Sequence, residues 1–159
     1  MTGQSTKPQT GDSKDFLTMT VDGQVFGIPV LQVQDVLGEQ RVTAVPLAPP
    51  EVAGSLNLRG RIVTAINLRR RLGLEPVAEG AKTMSVVVDY QGELYSLIVD
   101  GVGEVLSLSD SDFEKTPPTL DRVWREVATG VYRLKNDLLV ILDVSDMLEA
   151  LYSRDHHAA

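Results

Sequence analysis

The sequence predicts an all-β protein made of two similar five-stranded β-barrel units packed together, closed by a short C-terminal helix. Three observations carry that prediction. From Phe16 onward the chain alternates short runs rich in Val, Leu and Ile with turn residues, the texture of strands and tight connections. The 159 residues suffice for one ordinary domain or two small ones sharing a core. Finally, the order of the apolar runs repeats once along the chain.

Taken in order, Phe16 to Val21, the pair Asp22-Gly23, and Gln24 to Ile28 read as strand, tight turn, strand. Arg41 to Val45 reads as a further strand closed by Pro46 and Pro49-Pro50. Gly54 to Leu58 and Ile62 to Leu68 flank Arg59-Gly60, a second hairpin. Thr83 to Asp89, Leu94 to Val99 and Val102 to Leu108 follow as strands. Val131 to Leu134 and Leu138 to Leu142 make a last hairpin around Lys135-Asn136. Ser145 is placed to cap a short helix in which Met147, Leu148 and Leu151 share one face. That makes about ten strands and few helices.

A shift of 69 residues lays Gly23 on Gly92, Phe26 on Tyr95, Asp35 on Glu104 and Val36 on Val105. A shift of 76 lays Gly54 on Gly130, Arg59 on Lys135 and Asn67 on Asp143. The seven extra residues of the second copy are expected near 110–118. The units are placed at 14–80 and 81–152, the second including the helix, with a disordered tail expected at 1–13 and a flexible one at 153–159. Each unit alone would be marginal, so an apolar seam between them is expected.

Composition narrows function. A net charge of −7 argues against nucleic acid and anionic membranes as partners, because phosphate affinity depends on positive charge. Cysteine is absent, which removes thiolate catalysis and cysteine-ligated zinc. Both histidines, His156 and His157, fall in the C-terminal tail, so no serine–histidine–aspartate set can form elsewhere. No apolar run reaches the 18 residues of a membrane span, and Met1 to Asp15 lack the apolar core of a secretory signal. The expectation is a soluble, cytoplasmic, non-catalytic protein with no cofactor and no metal.

Charge is also uneven along the chain. Residues 41–82 hold seven basic and three acidic side chains, while 84–121 hold one basic and eight acidic. Such a dipole either is ordinary solvated surface or favours head-to-tail contacts, which close into rings or run on as filaments.

Among candidate chemistries, Asp100 with Glu104 and Asp110 with Asp112 are possible carboxylate pairs. The run Ser107 to Asp112 lacks the glycine and closing glutamate of a calcium loop, so turns and a helix cap suit it better. Gly101-Val-Gly103 lacks the third glycine and the lysine of a phosphate loop. Arg69-Arg70-Arg71 reads as a solvated strand end. Arg59 at a hairpin tip either fills the turn or is rigidly presented for bidentate recognition of a carboxylate.

These residues carry a family resemblance. Asn57-Leu-Arg-Gly60, with Ile62-Val63 and Asn67-Leu-Arg69, resembles the signature of CheW-type chemotaxis coupling proteins. Phe26 to Val36 resembles the family's second-strand region, and Val99 to Ser107 its second-barrel motif. The match runs in order from Phe16 to Leu151. It implies two intertwined SH3-like barrels, no catalysis, and an adaptor between methyl-accepting chemotaxis receptors and the regulatory domain of the histidine kinase CheA, with other copies of the chain as further partners in rings. Carried onto this chain, the resemblance assigns kinase binding to Val33, Asp35, Val36, Gly54 and Arg59. It assigns the receptor-binding groove to Ile28, Leu31, Arg59, Val102 and Val105, placing the protein at membrane-associated arrays through its partners, without membrane insertion.

Two departures stand out. The family usually has Pro and Asp where this chain has Thr64 and Asn67, so a salt bridge at the second position is not expected here. Trp124 lies outside the motif and is expected to plug the barrel junction. Two rivals follow from the residues: an interaction module serving a different array or belonging to a larger kinase, and a small enzyme with a carboxylate pair in a deep polar groove.

Overall fold

The computed structural model describes residues 12–149 and 151. Ten strands form: β1 (Ser13–Val21), β2 (Gln24–Pro29), β3 (Val33–Leu37), β4 (Val52–Leu58), β5 (Arg61–Asn67), β6 (Met84–Tyr90), β7 (Glu93–Val99), β8 (Gly101–Ser109), β9 (Ala128–Arg133) and β10 (Leu138–Leu142). Short helices α1 (Leu68–Arg71) and α2 (Arg122–Val127) join them. A terminal helix, α3, covers 144–149 and reaches 151. Three hairpins turn on Asp22-Gly23, Arg59-Gly60 and Gln91-Gly92, each with both residues at positive φ. Paired positive φ values match the right-handed twist of the strands they join.

The ten strands fall into two sheets of five. Sheet I has the order β8-β1-β2-β10-β9 and sheet II the order β3-β6-β7-β5-β4. Replacing each strand by its repeat equivalent turns one order into the other, so the duplication is written into the topology as well as the sequence. The sequence halves do not map one to a sheet, however. The β1–β2 hairpin pairs with β8 and with β10, and the β6–β7 hairpin pairs with β3 and with β5. A boundary at 80/81 therefore cuts through both sheets. The reason is four pairings between the halves, antiparallel β1 with β8 and β3 with β6 and parallel β2 with β10 and β5 with β7, which join strands far apart in sequence and carry no local signal.

The core has three parts. Sheet II keeps a cluster of Leu56, Val63, Ala65, Val87 and Leu94. Sheet I keeps Phe16, Tyr132, Leu139 and Ile141, and three of these, Tyr132, Leu139 and Ile141, are repeat equivalents of Leu56, Val63 and Ala65. The expected apolar seam is the largest cluster, and it draws Met19, Phe26 and Val140 from sheet I together with Val86, Leu97 and Ile66 from sheet II. Trp124 packs against this seam as expected, with its ring edge-on to Phe26 at 5.2 Å. Its indole Nε1 donates to the Leu72 carbonyl at 3.0 Å.

Four local expectations are corrected. Residues 41–45 make no full strand; only Thr43 bridges, to Ser55 of β4. Its repeat equivalent is Glu114 bridging Val131. Two of the seven extra residues therefore precede Glu114 and the other five fall between it and Val131, a wider window than 110–118. Asp143, not Ser145, caps α3: its Oδ1 accepts from the Asp146 N–H at 2.9 Å. Finally, Arg69 to Arg71 form α1 and not a solvated strand end, with Arg71 buried.

Candidate functional site

The β4–β5 hairpin tip and the neighbouring strand β3 form the most clearly built surface of the protein. Arg59 occupies the first turn position with φ 51° and Gly60 the second with φ 86°. A left-handed conformation costs a side-chain-bearing residue about 1–2 kcal/mol. The turn is braced by Asn57, whose Oδ1 accepts from the Gly60 N–H at 3.0 Å. From that position the Arg59 guanidinium reaches across to Asp35 on β3, with two N–H groups on Oδ2 at 2.5 and 3.3 Å. The other oxygen of Asp35 accepts from the Val36 N–H at 2.9 Å. The carboxylate is thus fixed from both sides, and the largely exposed guanidinium is held in one orientation. Apolar Val36 and Ile62 stand exposed on β3 and β5, the strands joined by this ion pair and hairpin.

The structure brings together three of the residues assigned to kinase binding, Asp35, Val36 and Arg59. Val33 is half-buried against the shared core. Gly54 is buried, and its role is backbone approach: a Cβ there would sit 2.2 Å from the Thr43 carbonyl oxygen. It shapes the strand behind the surface and offers no side chain to a partner. Ile62 was missed, although its place two residues past the turn glycine gives it an outward position.

The second assigned set differs in exposure. Leu31 is 92% exposed in the turn after β2, Val105 is half exposed on β8, and Val102 is half-buried on the same strand. Ile28 is fully buried in the seam, because β2 lies inside sheet I and turns this side chain toward the shared core. It offers no exposed surface.

Two arginines of the basic run, Arg69 and Arg71, are spent within the molecule, while Arg70 is exposed. Arg69 donates from Nε and Nη2 to the two oxygens of Asp100 at 3.0 and 2.7 Å, and from Nη1 to the Glu75 carbonyl at 2.7 Å. Asp100 also accepts from the Asp22 N–H at 2.7 Å. The Arg69 hydrogen bond holds the Asp100 carboxyl below its usual range despite partial burial, and the same pairing raises Arg69. The charge contrast between 41–82 and 84–121 is therefore partly cancelled inside the protein.

That geometry bears on catalysis. Asp100 lines an open pocket of about 580 Å³ with Glu39, Lys82 and Met84. A groove acid needs a raised carboxyl, and this one is lowered. Among the described residues no group of three potential metal ligands converges, and no helix is long and apolar enough to cross a membrane.

A second concavity, about 320 Å³, opens in sheet I between Phe16, Pro29, Phe113, Thr129, Tyr132 and Ile141, with the Lys14–Asp110 ion pair at its rim. Burial raises the Tyr132 phenol, and the charges of Asp110 and Asp112 add to the effect.

Comparisons with known proteins fit this architecture. A family model described as a CheW-like domain matches residues 15–151. Chemotaxis protein CheW of Klebsiella aerogenes is 30% identical over 137 residues, spanning 86% of this chain and 82% of that one. Chemotaxis protein CheW of Bacillus subtilis is 28% identical, with 89% of each chain covered. The crystal structure of the scaffolding protein TtCheW from Thermoanaerobacter tengcongensis superposes with a TM-score of 0.73 at 25% identity, covering 82% of this chain and 88% of that one.

Proposed function

The chain belongs to the CheW-like domain family, and from that premise we propose that it couples methyl-accepting chemoreceptors to the histidine kinase CheA by protein binding, without catalysis. It is a chemotaxis scaffold of the CheW kind. The observation that carries the finer reading is the Arg59–Asp35 pair: an arginine held on a rigid tip beside exposed Val36 and Ile62. An oriented guanidinium next to small apolar patches is the composition of a binding hot spot.

In this reading the kinase regulatory domain docks on Asp35, Val36, Arg59 and Ile62, while Val33 and Gly54 support the surface from behind. The receptor's helical tip lies along Leu31 and Val105, a helix-in-groove contact made by aliphatic side chains. Further copies of the chain join the same assembly in rings, and the protein sits at the cytoplasmic side of the membrane through its partners. Its output is a coupling free energy between receptor conformation and kinase activity. Individual contacts on the order of micromolar suffice, since avidity in an array multiplies them.

The test is calorimetric titration with the isolated kinase regulatory domain, wild type beside Arg59→Ala. Saturable binding that the substitution weakens by about tenfold or more, with an unchanged unfolding midpoint, is the expected result. Equal affinity of the two proteins would remove Arg59 from the contact. Absence of binding at high micromolar concentration would overturn the kinase assignment.

A further inference from the structure

The chain passes between the two sheets twice. All five strands of sheet II fall within residues 33–99, so this sheet is inserted between β2 and β8 of sheet I. One crossover is the single helical turn Val30–Gln32, and the other is Asp100 alone, between Val99 of β7 and Gly101 of β8. Leu31 and Asp100 are equivalents under the 69-residue offset, yet the two joints are unlike. Asp100 is pinned twice: its N–H donates to the Thr20 carbonyl at 3.0 Å, and its carboxylate takes the Arg69 fork. At the other joint an exposed leucine stands in its place and Ser145 in that of Arg69, so no equivalent ion pair can form there.

Helix α1 fastens one sheet to the other. It continues directly from β5 of sheet II, but its polar bonds reach the part of the chain that builds sheet I. Besides gripping Asp100, Arg69 stands 3.7 Å from Asp22 in the β1–β2 turn. Arg71 donates to Met147 of α3, and the carbonyl of Leu72, the C-cap of α1, accepts from Trp124 of α2. These bonds are directional, whereas the aliphatic side chains of the seam attract one another without a preferred alignment. Packing brings the sheets together, and the polar ties select how they are aligned. The other end of β5 is the Arg59-Gly60 tip, about 20 Å away. A bonded route thus runs from Arg59 and Ile62 along β5 to Arg69, across to Asp100, and along β8 to Val102 and Val105.

We infer that Arg69 is a positioning residue: its fork on Asp100, with Asp22 beside it, fixes where the Arg59 tip of sheet II stands relative to Leu31 and Val105, and so carries the coupling between the two surfaces. Leu31 lies on one crossover and Val105 five residues beyond the other. The inference rests on the coupling reading above for its purpose, since these are the proposed kinase and receptor contacts. A receptor laid on Leu31 and Val105 bears on both joints at once. Only the joint held by Arg69 passes a displacement stiffly to β5, because only there does a side chain of α1 grip the crossover.

The chain has no native cysteine, so spin labels can be attached at Glu93→Cys on β7 and Thr129→Cys on β9, both exposed and on opposite sheets. Dipolar distance measurements on the full, partner-free chain are expected to give one narrow distribution. Arg69→Lys keeps the charge but loses the fork, and should broaden that distribution about twofold. Asp22→Asn, at an exposed turn, should broaden it to a smaller extent. Val86→Ala, a truncation in the seam, should lower the unfolding midpoint and leave the distribution narrow. Kinase-domain affinity is then titrated with and without a receptor-tip fragment. The wild type should show a coupling factor of about fivefold or more. Arg69→Lys should bring it to within about twofold of one while each partner's separate affinity is unchanged. An unbroadened Arg69→Lys, equal broadening by Val86→Ala, or full coupling in Arg69→Lys would overturn the inference. If Arg69→Lys broadens the distribution but the wild type binds neither partner, the coupling reading falls and the placement role of Arg69 stands.

Discussion

Arg71 donates from Nε to the carbonyl oxygen of Met147 at 3.1 Å, and the two residues are equivalents of each other under the 76-residue offset. A bond between equivalent positions lies where the two halves of a duplicated fold face one another. It ties α1 to α3 across the seam, beside the Trp124 clasp on Leu72.

Replacing Arg71 by methionine, which keeps much of the length and removes the donors, is expected to destabilise by about 2–3 kcal/mol, the worth of a buried charged hydrogen bond. Urea unfolding reads this as a lower midpoint. A change under about 0.5 kcal/mol would mean that the apolar seam alone holds the halves together.

Asp100→Asn tests the Arg69 cluster through pH. The folded carboxyl is lowered, chiefly by the Arg69 hydrogen bond, so its contribution is fully present above the unfolded value near 3.9 and is lost as pH falls through the folded value. The variant should be less stable than wild type by about 1–2 kcal/mol at neutral pH. The gap should close in acid below about pH 4. A gap that persists there would assign the loss to packing.

Asn67 replaces the usual family aspartate and loses nothing as a cap. Its Oδ1 accepts from the Arg70 N–H at 3.1 Å, and Asp143 makes the equivalent bond to Asp146 in the second half. Asn67→Asp should be neutral to within about 0.5 kcal/mol, and Asn67→Ala should cost about 1 kcal/mol. Thermal unfolding of the two variants side by side decides it.

The Ser96 hydroxyl is fully buried in β7 with no hydrogen-bond partner. Ser96→Ala removes a desolvated polar group at the cost of one small atom, so the midpoint should rise, by up to about 1 kcal/mol. A drop would reveal a role for the hydroxyl in the sheet.

The hairpins were legible because their signals are local: Asp22-Gly23 and Arg59-Gly60 sit between alternating apolar runs. The duplication was legible for the same reason, since equivalent strands keep equivalent inward residues. What escaped depends on neighbours distant in sequence. Nothing in Phe26 to Pro29 announces that β10 lies parallel beside it, so Ile28 read as groove surface when it is core. Arg69 looked solvated because Asp100, its partner, comes 31 residues later. The first surface was readable down to Asp35 and Arg59, but Gly54 acts through its backbone, which a residue-by-residue assignment cannot distinguish from a contact.

The exchange of hairpins between sheets also sets an order of assembly during synthesis. Sheet II is complete in sequence once β7 ends at Val99, whereas β1 and β2 find their last neighbour only when β10 ends at Leu142. Domains fold from the N-terminus as the chain emerges, and pairings between distant strands are slow. Here the first hairpin to leave the ribosome is among the last to be enclosed, and until then its open edges are what a chaperone would meet.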